Sequence, residues 1–245
     1  MKQLLTICSA LLACLLLLLA CNGQHSAPQD DWEDVDTLCL SVPSYLMGDW
    51  PAGWAYATLA MIQMEREREG DMVDLSPNFV LYNRLLTSNG KANADPSACF
   101  ELLEQYGAVR LNAFRPRPQM TWKRFREIAT PENMQLVCDT GFAHRPSSTV
   151  IYGALYTPQE YASSLYIDDA YERVAPSDLL TSQIRQTLAA GHPLVLETED
   201  DYVLVYGTAQ VCGQPALIYR DFRTAVPLHL LEKDVEGAFY RHKLE

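Results

Sequence analysis

Hydrophobic positions in the first half of the chain are grouped as they are in helices. From Trp54 to Met64 they are dense, and the charged run 65–69 and Gly70 follow, so this stretch predicts a helix buried at its start and solvated at its end. Ser76-Pro77 offers an N-cap followed by proline at the first helical position, which predicts a second helix. Two shorter helices are expected over Ser97–Tyr106, which Gly107 would stop, and over Trp122–Ile128.

The second half of the chain has shorter, β-rich hydrophobic runs. A helix start at Thr157-Pro158-Gln159-Glu160 and a helix from Ser177 to Leu188, ended at Gly191, interrupt them. Because helices come first and a sheet afterwards, the order predicts an α+β fold. The strand candidates are Gln135–Cys138, Thr149–Tyr152, His192–Thr198, Tyr202–Thr208 and Ala216–Arg220, with Cys212 to Pro215 as a hairpin turn between the last two.

The N-terminal residues are typical of a bacterial lipoprotein leader. Lys2 precedes an almost unbroken apolar run, Leu4 to Leu19, and Leu18-Leu19-Ala20-Cys21 fits the lipobox, in which the cysteine becomes lipidated and N-terminal. Cleavage at the similar Cys14, a plain secretory signal and a single anchor helix are weaker alternatives. The predicted organisation is a signal peptide over 1–20, an acidic tether over 21–37 and one domain over 38–245, exported and membrane-anchored at the bacterial cell envelope.

The formal net charge is −12, and removing Lys2 with the leader makes it about −13. This acidic balance argues against nucleic acid or an anionic lipid surface as a partner. The short basic segment Arg115-Pro116-Arg117-Pro118 is expected to be a solvated loop, with a partner contact as the alternative. The acids of the predicted tether are Asp30, Asp31, Glu33, Asp34 and Asp36.

Cysteines and histidines do not form a recognisable ligand or cofactor motif. Export to an oxidising compartment would allow two disulfides among the four cysteines that follow Cys21, but spacing does not give the pairing. No CxxC or Cys/His cluster suggests a metal, and no cofactor is expected. The four cysteines are Cys39, Cys99, Cys138 and Cys212, and the histidines are His25, His144, His192, His229 and His242.

Four segments, in the same order along the chain, resemble the papain-like cysteine peptidases and, more narrowly, the bleomycin hydrolase or aminopeptidase C branch. Gly53-Trp54-Ala55-Tyr56-Ala57 is similar to the family's Cys-Trp-Ala-Phe-Ser segment at the start of the central helix. The other three are Asp74 to Tyr82, Tyr156 to Asp169, and Ile184 to Pro193. The resemblance implies a two-lobed fold in which a helical lobe precedes a β-rich lobe.

The chemistry of that family needs a thiolate, a histidine, an asparagine that orients the histidine, and a glutamine that donates to the oxyanion. In this chain the resemblance matches the nucleophile position to Gly53 and the glutamine position to Met47. The histidine position falls on Asp201 and the asparagine position on Arg220. The loss of all four groups implies a catalytically inactive relative, a pseudoenzyme.

A remnant cleft could still bind a peptide or a protein partner. Its candidate residues are Trp54, Asp201, Arg220 and Phe222, and a salt bridge between Asp201 and Arg220 is expected to replace the catalytic pair.

Two other functions remain open. The first is an active cysteine-type peptidase with a relocated site built from Cys39 or His192. It predicts a thiol within hydrogen-bond reach of a histidine, whereas Cys39 and His192 are both expected to be structural. The second is a purely structural envelope lipoprotein, which predicts a filled cleft and no peptide binding. The acidic run Glu199-Asp200-Asp201 resembles acid machinery but is expected first to be a polar turn.

Overall fold

The computed structural model describes residues 32–48, 50–88, 91–111, 114–116, 121–128, 130 and 170–244. The predicted strands at 135–138 and 149–152 and the helix start at 157–160 lie outside them. The first part contains four helices, close to where the hydrophobic pattern predicts them: α1 Gly53–Arg68, α2 Pro77–Thr87, α3 Pro96–Tyr106 and α4 Trp122–Ile128. The N-cap of α3 is Asp95, whose carboxylate accepts from the Ser97 N–H at 2.8 Å.

The later residues, together with β1, form a sheet with one helix. The elements are β1 Trp32–Thr37, β2 Tyr171–Val174, α5 Leu180–Ala189, β3 Leu194–Glu197, β4 Tyr202–Val211, β5 Gln214–Arg220, β6 Leu228–Leu231, a 3₁₀ turn Glu232–Asp234, and β7 Phe239–His242. The described strands follow the order β2-β7-β3-β4-β5-β6, with β1 also paired to β4, and the pairs along that order are antiparallel. The β4–β5 hairpin turns at Cys212-Gly213, where φ is +51° and +72°.

Strand β1 is a departure from the sequence prediction, which assigns its residues to the acidic tether. Its side chains are mostly exposed, so no hydrophobic pattern marks it as a strand. It forms because β4 is longer than β3 and offers backbone partners beyond the end of β3. The pairing with β4 continues at Leu38, whose N–H donates to the Tyr206 carbonyl at 3.0 Å. Gly207 permits this approach, since a Cβ there would lie 2.6 Å from the Asp36 carbonyl oxygen.

Helix α1 is buried on every side from Gly53 to Glu65. Such a helix has to be enclosed by other elements, and the sheet and helices α2 and α3 pack around it. Successive side chains of β3 and β4 point to opposite faces of the sheet, so each strand contributes to two hydrophobic cores. Val195 and the facing Leu204 join the α1 core, whereas Leu194, Leu196, Val203 and Val205 pack against α5.

Within the described ranges, helices long and apolar enough to cross a membrane are absent.

Candidate functional site

The site expected from the sequence lies where α1 begins, against the turn between β3 and β4. Asp201 projects from this turn toward the first residue of α1. Its carboxylate oxygen Oδ2 accepts from the Gly53 N–H at 3.1 Å and from Nη2 of Arg223 at 2.7 Å, while Oδ1 accepts from the Tyr202 N–H at 2.9 Å. The two positions matched to the nucleophile and the histidine are therefore in direct contact, and a carboxylate caps the central helix.

The turn that carries Asp201 is closed by Thr198. The Thr198 hydroxyl and N–H both donate to the Asp201 carbonyl, at 2.7 and 2.8 Å. Glu199 and Asp200 are exposed on the turn, whereas the Asp201 side chain is only 5% exposed. Of the acidic run, only Asp201 reaches the site, and its two neighbours occupy a polar turn as the sequence predicts.

No side chain fits at position 53 without movement of its neighbours. A Cβ built on Gly53 would lie 2.6 Å from Cγ of Asp201 and closer still to the backbone carbonyl oxygen of Tyr202. Real Cβ atoms do not approach other atoms so closely, so a cysteine here would require the β3–β4 turn to move. Glycine at this position is thus a packing requirement of the present arrangement.

The electrostatics of the site oppose thiolate and oxyanion chemistry. A carboxylate beside the start of α1 would repel a thiolate at position 53, where catalysis needs stabilisation of that charge. The Gly53 N–H, a helix N-terminal donor of the kind that can stabilise an oxyanion, is occupied by Asp201. Burial raises the pKa of Asp201 above 3.8, against the opposing effects of the Tyr202 and Gly53 N–H groups and of Arg223.

This raised pKa predicts a pH-dependent contribution to stability. Because the folded-state pKa exceeds the unfolded value, the contribution is fully present below about pH 4 and is lost as pH rises through the folded-state pKa. The unfolding free energy of the wild type minus that of Asp201→Asn should therefore fall with pH, by at most about 1.4 kcal/mol per unit. Chemical denaturation from pH 3 to 8 measures it. Asp200→Asn, a change at the adjacent exposed residue, should leave the pH dependence of the unfolding free energy as it is in the wild type. If the wild-type minus Asp201→Asn difference grows with pH, the prediction is wrong.

The expected salt bridge between Asp201 and Arg220 is wrong, because Arg223 pairs with Asp201 instead. Arg223 also lies 3.5 Å from Asp221, and its side chain is 34% exposed. The Arg220 guanidinium donates through Nη1 to the Ala225 carbonyl, and its Cζ lies 6.0 Å from the Phe222 ring centroid. Burial lowers the pKa of Arg220, and its buried Nε has no hydrogen-bond partner in the described part of the chain.

The remaining site residues meet around Phe222. The Met47 N–H donates to the Phe222 carbonyl at 2.8 Å, and the Phe222 ring lies 5.5 Å from Tyr45 and 5.9 Å from Tyr56, between centroids. Trp54 donates from Nε1 to the Ala92 carbonyl at 3.0 Å. Met47, Trp54, Arg220 and Phe222 are all buried, so the structure brings the predicted positions together but encloses their side chains in protein.

His192 and Ser41, which follows Cys39 by two residues, both contact the far end of α1 from Gly53. Nδ1 of His192 donates to the buried carboxylate of Glu65 at 2.9 Å, twelve residues or about 18 Å along the helix from Gly53. Ser41, two residues after Cys39, bonds to Glu67 through its N–H at 2.8 Å. Since Glu65 and Glu67 are about 200° apart around the helix, these contacts lie on nearly opposite sides of it.

The described cysteines are free thiols: Cys39 and Cys212 are exposed and Cys99 is buried. Cys138, the fourth cysteine of the predicted mature chain, lies outside the described residues. Burial raises the pKa of the Cys99 thiol, which keeps it neutral and unreactive. Groups of three or more His, Cys, Asp or Glu side chains suited to a metal ion do not occur among the described residues.

Comparison with solved structures identifies the fold. Xylellain, a cysteine protease from Xylella fastidiosa, matches with a TM-score of 0.53 and 14% identity over 85% of this chain and 86% of its own. A procathepsin L2 proteinase from the Tenebrio molitor larval midgut matches with a TM-score of 0.51 and 14% identity over 84% of this chain and 65% of its own. A structure from work on the mite allergens Blo t 1 and Der p 1 matches with a TM-score of 0.50 and 12% identity over 91% and 73%.

The protein therefore has a papain-like α+β fold, as the sequence motifs predict. No family model matches the sequence, and no curated protein matches it. At these identities the likeness concerns the fold alone.

Proposed function

We propose that this protein is a papain-fold protein without peptidase activity, a degenerate relative nearest the bleomycin hydrolase branch. A lipid on Cys21 holds it at the bacterial cell envelope, and the rim of its remnant cleft binds a peptide or protein partner. One observation carries the proposed inactivity: the Asp201 carboxylate lies against Gly53 in the space that a nucleophilic side chain would need. The proposed anchor rests on the Leu18-Leu19-Ala20-Cys21 motif.

The proposed inactivity predicts that peptides remain intact. The full chain, incubated with a pool of internally quenched peptides, should release fluorescence no faster than buffer, because the site supplies neither a thiol nor an available oxyanion donor. Liquid chromatography with mass spectrometry of the peptides gives a second readout, and an active papain-like peptidase serves as the positive control. Hydrolysis that iodoacetamide and a single Cys→Ser change both abolish would establish a relocated active site and overturn the proposal.

The proposed partner binding uses exposed groups at the edge of the site, because the side chains at its centre are buried. Arg223 is the exposed cation there, next to Asp221 and the turn acids Glu199 and Asp200. Selection from a displayed peptide library, followed by calorimetry, tests the proposal. Binding should weaken at least tenfold in Arg223→Glu and change little in Lys233→Glu, an exposed cation elsewhere.

The filled centre also favours a second candidate function, a purely structural envelope lipoprotein. The side chains named as cleft candidates are buried, which is what that function predicts. The same library selection separates the two: reproducible enrichment of related peptides supports binding at the rim, and a pool that stays unenriched against an immobilised full chain supports the structural role.

A further inference from the structure

Positive charge is concentrated in one part of this acidic protein. Residues 107–128 contain six lysines and arginines and one acid, Glu127, so this segment carries +5 while the rest of the chain carries −17. At physiological salt an exposed charge is screened beyond about 8 Å, so a partner touching this segment would respond to the local charge and little to the total. The net charge of −12 therefore does not describe this surface.

Helix α4 displays much of this charge. Phe125 is fully buried, and Trp122 stacks on it with ring centroids 5.4 Å apart, while Lys123, Arg124 and Arg126 are exposed. Thr121 accepts the Arg124 N–H through its hydroxyl at 3.2 Å, which fixes the start of the helix. The helix thus has an aromatic inner side and a cationic outer side.

A fourth exposed cation, Arg115, lies beside α4. The Phe114 ring stacks on Phe125 with centroids 5.6 Å apart, and Arg115 follows it and is exposed. We call Arg115, Lys123, Arg124 and Arg126 the basic face. Glu127 neutralises part of it through Arg124 at 2.9 Å, but both side chains are about half exposed, so this ion pair is weak enough to exchange.

We propose that the basic face binds the anionic headgroups of a phospholipid bilayer. Three of its four cations are arginines, which bind phosphate in a bidentate manner, and each basic residue near an anionic surface contributes about 1 kcal/mol. Trp122, half-buried at the helix start, is the residue type enriched at bilayer interfaces. The proposed contact is electrostatic, because the aromatic side of the helix packs inside the protein, where Phe125 contacts Trp50 and Phe114, and its cations face outward.

The length of the tether is compatible with such contact. Ten residues lie between Cys21 and Trp32, so the eleven Cα-to-Cα steps span at most about 40 Å of extended chain. A lipid at Cys21 would keep the basic face at high effective concentration near the bilayer. The headgroup contact itself does not require the lipid, so it can be tested separately from the proposed anchor.

The test is sedimentation with vesicles. It uses the mature chain, residues 21–245, because the apolar leader over 1–20 would itself insert into any vesicle, and it carries Cys21→Ser, which removes the lipidation site. Vesicles of equal parts phosphatidylglycerol and phosphatidylcholine should bind the protein at low salt and release it at about 0.5 M salt, while phosphatidylcholine alone should not bind it. Reversal of three charges in Lys123→Glu/Arg124→Glu/Arg126→Glu should weaken binding at least tenfold.

The matched control is Lys91→Glu/Arg173→Glu/Lys233→Glu, which makes the same change in net charge at exposed positions elsewhere. It should retain binding within about twofold. Each of three results would overturn the proposal. The first is an equal loss of vesicle binding in both triple variants, and the second is equal binding to neutral and anionic vesicles. The third is binding to soluble poly-glutamate without binding to vesicles. Circular dichroism melting verifies that both variants fold. Lipid attachment at Cys21 is measured in a separate experiment, by the mass of the mature chain. A mature chain without the lipid would contradict the proposed anchor and leave the vesicle-binding result unaffected.

Discussion

Gly53→Ala should destabilise the protein by about 3 kcal/mol, and by more if the β3–β4 turn cannot move. The added methyl would meet Asp201 and the Tyr202 carbonyl, and Asp201 is held by hydrogen bonds to Gly53 and Tyr202 and by the ion pair with Arg223. Relieving the overlap would break the carboxylate cap on α1. Denaturant unfolding of wild type and variant, monitored by tryptophan fluorescence, measures the loss.

Two variants show where the obstruction lies. Gly70→Ala adds a methyl where no atom lies within 4 Å, so it should cost only about 1 kcal/mol, from its φ of +86°. Gly53→Ala/Asp201→Ala removes the side-chain part of the overlap and leaves the Tyr202 carbonyl, so it should not recover wild-type stability. Full recovery would mean that the Asp201 side chain alone closes the site.

His192→Phe should cost about 3 kcal/mol, because it leaves the Glu65 carboxylate buried without its hydrogen-bond donor. Among the described residues, Glu65 would retain its contact with Arg68, whose Nε lies 3.2 Å from Oε2. The replacement keeps a ring in the stack with His242, where the centroids are 5.3 Å apart, so the loss isolates the polar contact. The measurement is again the free energy of unfolding.

A double-mutant cycle with Glu65→Gln checks the cause. The double variant should lose less than the sum of the single losses, with a coupling of at least about 1 kcal/mol. His242→Phe is the control, since its Nδ1 contacts only the exposed Lys243 carbonyl in the described region, and it should cost under about 1 kcal/mol. Additive losses would show that the Glu65 contact is not what His192 contributes.

Helices α1 to α4 were predictable because local hydrophobic spacing and stop signals agree with their packing. Strand β1 was not, because its exposed acidic residues carry no period, and it exists only through its pairing with β4. The contact between His192 and Glu65 could not be predicted either, because the residues are 127 positions apart. No local sequence pattern indicates that a residue inside α1 contacts the turn before β3.

The sequence pointed to Arg220 as the partner of Asp201, and nothing in it indicated Arg223. The two arginines are three residues apart, and either charge would suit a carboxylate. Arg220 belongs to the end of β5, whereas Arg223 lies in the following turn, where the Thr224 N–H donates to the Asp221 carbonyl at 3.0 Å. That turn places Arg223 next to Asp201, at 2.7 Å.

The sequence alone determined that the chain carries the order of helices and strands of a papain-like fold. It also determined that no thiol stands at position 53, no histidine at 201 and no asparagine at 220, because these are matters of residue identity. Only the tertiary structure decided that the Asp201 carboxylate lies against Gly53 and caps α1. Such contacts depend on close approach between residues 148 positions apart, and only the packed fold brings them together.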